Sequence, residues 1–202
     1  MLFLLTGEVQ IGKTRWLEAL VDDLAASGVP SAGVLAPGQW VASTGEQADA
    51  NGFEKRGIDN VLLPEGTRIP FARRRDIAQA EGSYDEESQA ARAQLAWYID
   101  DEAIAKVNAY FDQLGPAAAP GLLVVDELGR LEVWRGEGLT SAVRRLQEGP
   151  SPAFPHALVV VRDYLADETE ALLVPAWTDM QRIAPDEAGR REVFAAFGRA
   201  CA

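Results

Sequence analysis

Leu2-Phe3-Leu4-Leu5-Thr6-Gly7-Glu8-Val9-Gln10-Ile11-Gly12-Lys13-Thr14 opens the chain, and its reading decides the fold. Four apolar residues make a short buried-strand candidate, and Gly7 to Thr14 then fit the pattern G-x-x-x-x-G-K-[ST]. Behind it Trp16, Leu17, Leu20, Val21 and Leu24 fall on one helical face, and Ser27-Gly28 supply a stop. Strand, glycine-bounded loop and helix in that order give the motif its meaning as a phosphate-binding loop. Gly7 and Gly12 permit turns closed to residues with a Cβ, so successive N–H groups can face one anion, helped by the positive end of the helix. The expected cradle is Gly7, Glu8, Val9, Gln10, Ile11, Gly12, Lys13, Thr14 and Arg15. Lys13 is expected to reach the β- and γ-phosphates, and the Thr14 hydroxyl to join a Mg²⁺ shell.

Composition narrows the rest. A chain of 202 residues, 48% hydrophobic and 25% charged, has the makeup of one folded α/β domain over 1–202. A formal charge of −12 argues against a nucleic-acid or anionic-membrane surface, because both need clustered positive charge. Cys201 and His156 are the only cysteine and histidine, so neither an internal disulfide nor a Cys/His zinc site is expected. The apolar start runs directly into the glycine loop and no stretch is long enough for a membrane span, which makes a cytoplasmic location the expectation.

Further along, Ser31–Leu35 reads as a second strand, parallel to the first after a right-handed crossover. Residues 37–51 are polar, lack a period and read as a loop. Weak alternation from Gly52 to Phe71 around Pro64-Glu65-Gly66 predicts a hairpin appended to the sheet. Asp85 to Ala96 is helix-compatible but poorly patterned. Asp100 is placed to cap a helix carrying Ile104, Val107, Phe111 and Leu114, ended by Gly115-Pro116. Residues 116–121 read as a short linker. A helix is predicted around Glu137–Gln147, a buried strand over Ala157–Val161, a weaker edge strand within Trp177–Ile183, and a last helix after Pro185-Asp186. The alternation of elements predicts a mainly parallel sheet with helices on both faces.

Leu122-Leu123-Val124-Val125 is a continuous apolar run followed by Asp126-Glu127, the form of a Walker B strand. The carboxyl ends of parallel strands share one edge, so Asp126 is expected beside the phosphate loop. There Asp126 would hold Mg²⁺, and Glu127 would orient or deprotonate a water at the γ-phosphate.

Together the two motifs, with Val125-Asp126-Glu127-Leu128-Gly129-Arg130-Leu131-Glu132, resemble the THEP1-type nucleoside-triphosphatases. Gly33-Val34-Leu35, Gly52-Phe53 and Arg162-Asp163 extend the likeness over most of the chain. The resemblance implies a three-layer P-loop NTPase core of RecA-like type. It also implies slow, Mg²⁺-dependent hydrolysis of ATP, GTP or other nucleoside triphosphates with loose base selectivity, and Glu132 as a supporting carboxylate. Two positions depart from the family pattern: Glu8-Val9-Gln10, where Pro or an extra Gly is usual, and Arg15, where a second Ser or Thr is usual. Neither removes a donor, since the cradle is made of backbone amides. Two other readings fit the motifs: a P-loop kinase or cofactor-biosynthesis accessory protein, and a nucleotide-dependent binding module whose protein partner is unknown.

Three further groups stand out. Arg162 follows a strand on the motif edge and is a candidate to meet γ-phosphate charge, against a salt bridge to Asp163 or Asp167. Arg73-Arg74-Arg75 is the densest cationic cluster, read as a solvated face balanced by Asp76 and Glu81. Trp40, in a polar segment, is a candidate for base stacking and Trp16 for the core.

Overall fold

The computed structural model describes residues 1–8, 10–115 and 119–200. Strand β1 (Leu2–Leu5) leads into helix α1 (Lys13–Ala26), as the opening stretch predicts, and β2 (Ser31–Leu35) follows. Strands β7 (Leu122–Leu128), β8 (His156–Val161) and β9 (Met180–Ile183) complete a parallel block ordered β2-β7-β8-β1-β9. β8 therefore stands between the strand that leads to Gly7 and the strand that carries the acidic pair.

The apolar runs are explained by burial on both faces. Leu2, Leu4, Leu123, Val125, Ala157 and Val159 pack towards α4 (Asp101–Gln113), α5 (Thr140–Gln147) and α6 (Ala166–Leu173). Phe3, Leu5, Leu122, Val124, Leu158 and Val160 pack towards α1 and α7 (Glu187–Ala196). A strand with helices on each side has no solvent face to spare for polar residues. The predicted cap at Asp100 is present, its side chain accepting from the Glu102 N–H. Asp186 caps α7 in the same way, through the Gly189 N–H.

The appended element is larger than the single hairpin expected. β4 (Phe53–Leu63) and β5 (Thr67–Arg74) form it around Pro64-Glu65-Gly66, and β4 joins β2 antiparallel. Two more strands flank it. β3 (Gly38–Ala42) lies inside the segment expected to be a loop, and β6 (Trp97–Ile99) pairs with β5. β3 leaves no pattern because its residues are half-buried or exposed, and β6 has only three residues in which to show a period. The cationic cluster Arg73 to Arg75 leads into a helix, α2 (Arg75–Glu81), and between Asp85 and Ala96 the helix α3 spans only Gln89–Arg92. α5 starts at Thr140, later than the predicted Glu137, because a wide helical turn over Leu131–Arg135 precedes it. Of the predicted linker, residues 116–118 lie outside the described residues, as does Cys201. Among the described residues no helix is long and apolar enough to cross a membrane.

Gly33 shows why one position on β2 accepts only glycine. At φ +122 a Cβ there would lie 1.9 Å from the Val124 carbonyl oxygen on β7. β2 and β7, the strand that carries the acidic tip, can pair in this register only without that atom.

Candidate functional site

Gly7 and Gly12 take positive φ values of 135° and 94°, the turns foreseen for the loop. Gln10 sits at φ +66 without being glycine, at the departure noted in the sequence. Val9 lies outside the described residues. Within the loop Lys13 Nζ donates to the carbonyls of Gly7 at 2.6 Å and Glu8 at 2.8 Å. Burial lowers the Lys13 pKa, while Asp163, Glu127 and Asp126 pull it back up. The Gly7 N–H donates to Asp163 Oδ1 at 2.6 Å, so a carboxylate already engages the first amide of the cradle.

The acidic strand tip lies on the same edge. Thr14 Oγ1 is 3.4 Å from Asp126 Oδ1, and the Ala36 N–H donates to Asp126 Oδ2 at 2.8 Å. Asp126 is 3% exposed, and burial raises its pKa from 3.8 to about 7, opposed by the Ala36 hydrogen bond. Next to it the strand register slips between Val125 and Leu128, and Glu127 takes φ +78. This bulge swings Glu127 out of the alternation and lets Leu128 rejoin the core beside Val125. The freed carboxylate meets Arg162 Nη2 at 3.0 Å, both side chains being part-exposed. Arg162 thus stands where the sequence places it but pairs with Glu127. Asp163 instead holds Gly7, and Asp167 holds Arg182.

Glu132 braces this corner from below. Its oxygens accept from the N–H groups of Gly129 and Leu139, each at 2.9 Å, and burial raises its pKa. Gly138 (φ +73) has no room for a side chain, since a Cβ would fall 2.0 Å from Glu132 Oε1.

Gly12, Lys13, Thr14, Asp126, Glu127 and Arg162 line a cleft of about 900 Å³ that also takes in Arg15, Trp40, Phe53, Lys55 and Trp97. Trp40 belongs to it, whereas Trp16 packs against the α1 side of the core and donates its indole N–H to the Asp186 carbonyl. Lys55 and Trp97 are the contributors the sequence did not single out. Lys55 Nζ sits 5.5 Å from the Trp97 ring centroid, and burial lowers its pKa while Glu127 and Asp126 raise it. The only signal was a lysine in a weak hairpin strand.

The remaining candidates lie elsewhere. Arg73 pairs with Glu81, and Arg74 with Glu54 and Asp76, the balance expected of the cluster, whereas Arg75 donates to the Leu95 carbonyl instead. His156 meets Phe197 edge-to-face with ring centroids 4.7 Å apart and lies 3.1 Å from the Met1 amino group, a structural position at the foot of β8.

As a donor set, the Thr14 hydroxyl and the Asp126 carboxylate suit Mg²⁺, which binds through one or two protein oxygens and completes its shell with phosphates and water. Among the described residues no group of three or more His, Cys, Asp or Glu side chains forms a metal cage of protein ligands alone.

No family model matches the chain, and none of the curated proteins matches it. The solution structure of a human cancer-related nucleoside triphosphatase is similar over 98% of this chain and 94% of its own, with a TM-score of 0.58 and 21% sequence identity. The chain therefore has the α/β fold of that protein, a mostly parallel sheet covered by helices.

Proposed function

We propose that the chain, acting as one unit over 1–202, binds a nucleoside triphosphate in the 900 Å³ cleft and hydrolyses it at the γ-phosphate with Mg²⁺. The observation that carries the reading is the approach of Thr14 to Asp126 at one sheet edge, with Glu127 and Arg162 beside them. The fold shared with the human nucleoside triphosphatase supports it, as does the likeness of the two motifs to THEP1-type enzymes.

In this reading the amides of Gly7 to Arg15 receive the phosphates, displacing Asp163 from the Gly7 N–H, and Lys13 turns from its own loop to the β- and γ-oxygens. Thr14 and Asp126 hold Mg²⁺, which supplies charge neutralisation on the phosphates. Glu127 orients the attacking water and takes its proton. The water oxygen bonds to the γ-phosphorus, and the bridging oxygen leaves with the diphosphate. Arg162 leaves Glu127 for the γ-phosphate, which both frees the base and compensates developing charge. Trp40, Phe53 and Trp97 offer aromatic faces to the base, and a stacking surface takes any base, in line with loose selectivity. The charge of −12 disfavours nucleic acid or an anionic membrane as partner, and a cytoplasmic location follows from the same reading.

The test is phosphate release from a panel of ribo- and deoxynucleotides with and without Mg²⁺. Lys13→Ala is expected to lose binding. Glu127→Gln is expected to keep binding and lose about a hundredfold or more in rate. Equal rates for wild type and Glu127→Gln refute the role given to that glutamate, and release unaffected by Mg²⁺ refutes the metal site.

A further inference from the structure

A second cavity, of about 180 Å³, adjoins the nucleotide cleft. Gly12, Lys13 and Thr14 line only the cleft, and Leu131, Glu132 and Leu139 line only the second cavity. Asp126, Glu127 and Arg162, together with Ile58 and Trp97, are common to both, so the acidic tip and these two side chains form the partition between two compartments. The volume is close to that of an engineered cavity known to hold benzene, about 150 Å³, which sets the occupant at one ring with small substituents.

Most of its wall is apolar, including Ile58, Phe71 and Ala72 from the antiparallel strands. Apart from the charged groups at the acidic tip and beneath it, Asn60 on β4 stands out. It is 2% exposed, lines the cavity, and its amide Nδ2 has no hydrogen-bond partner among the described residues. A buried amide donor left unmatched is rare in folded proteins, and an acceptor atom on a bound molecule would match it. Glu127, the base assigned to the water in the first compartment, also lines this cavity.

We propose that this cavity is an acceptor subsite for a small alcohol that carries one ring and a hydrogen-bond acceptor for Asn60, and that the γ-phosphoryl group passes to its hydroxyl. The proposal rests on the nucleotide reading above. The alcohol oxygen bonds to the γ-phosphorus, the bond from that phosphorus to the β–γ bridging oxygen breaks, and its electron pair leaves on the nucleoside diphosphate. The hydroxyl proton goes to Glu127 and then to solvent, and the products are a phosphate monoester and a diphosphate. Water in the same position gives hydrolysis as the basal reaction.

Three probes separate the required features when added to the protein with ATP and Mg²⁺: para-hydroxymethylpyridine, benzyl alcohol without the ring acceptor, and para-methylpyridine without the hydroxyl. Phosphorus NMR distinguishes the ester from inorganic phosphate. The expected result is an ester from para-hydroxymethylpyridine, about tenfold or more slower from benzyl alcohol, and none from para-methylpyridine, which competes with the first. Asn60→Leu, similar in volume, is expected to lower ester formation about tenfold or more with basal phosphate release retained. Ala72→Phe, which fills the cavity, gives a second check with the same expectation. Basal phosphate release with no ester from either alcohol overturns the acceptor subsite and leaves the hydrolase standing. Ester formation undiminished in both variants overturns the cavity as its place. Neither ester nor phosphate release overturns both readings.

Discussion

Asp126→Asn separates stability from function at a single side chain. The carboxyl is 3% exposed, and burial raises its pKa from 3.8 to about 7. Folded, the group keeps its proton until about pH 7, whereas unfolded it releases it near 3.8. Between those values the unfolded chain binds fewer protons than the native one, so stability falls as pH rises across the window. About three pKa units, each about a tenfold change in equilibrium, set an upper bound of about 4 kcal/mol on the destabilisation above pH 7, and less than about half of that at pH 5. Asparagine keeps an oxygen for the Ala36 N–H and presents an N–H to the Thr14 hydroxyl, so little but the charge is lost. Urea unfolding of the nucleotide-free protein is expected to show the variant more stable by about 2–4 kcal/mol at pH 8, narrowing to less than about half of that gap at pH 5. The same variant is expected to lose Mg²⁺-dependent phosphate release by about two orders of magnitude. A variant less stable than wild type at pH 8, or a gap that ignores pH, would refute the claim that burial strains this carboxylate.

Other outcomes follow from single contacts. Glu127→Gly and Glu127→Ala are both expected to abolish turnover, but glycine relieves the φ of +78 and should unfold about 1 kcal/mol later; matching urea midpoints would show the turn unstrained. Gly33→Ala puts a methyl group 1.9 Å from the Val124 carbonyl oxygen and is expected to cost about 3 kcal/mol or more, read by thermal melts, with an unchanged melt refuting the close approach. Lys55→Met keeps the aliphatic stem on Trp97 and removes the charge, so the KM for ATP is expected to rise about tenfold at an unchanged urea midpoint. A KM equal to wild type would show that the Lys55 charge does not meet the nucleotide.

The motif strands were legible because they are buried on both faces. Leu2 to Leu5 and Leu122 to Val125 read as unbroken apolar runs, and each ends where chemistry-bearing residues begin. Their meeting at one edge follows from parallel pairing alone. The antiparallel half was harder, since Gly38–Ala42 is half-buried to exposed and β6 is three residues long. That half delivers Lys55 and Trp97 to the cleft, which is why those two escaped notice. The partner of Arg162 was also hidden. Asp163 and Asp167 are its neighbours in sequence, but a bulge at Glu127, set by backbone dihedrals that no side-chain pattern records, brings a residue 35 positions away into contact. Gln10 belongs to the same class, because the motif allows any residue at that place while the turn there runs left-handed.

The contact between Arg162 and Glu127 gives the resting protein a muzzle. Both side chains are part-exposed, so the pair holds with less than about 1 kcal/mol and yields to any stronger anion. On the proposed function only a triphosphate carries a group far enough along the cradle to draw the guanidinium away. Spent nucleotide lets it snap back, and idle molecules keep their general base covered between turnovers.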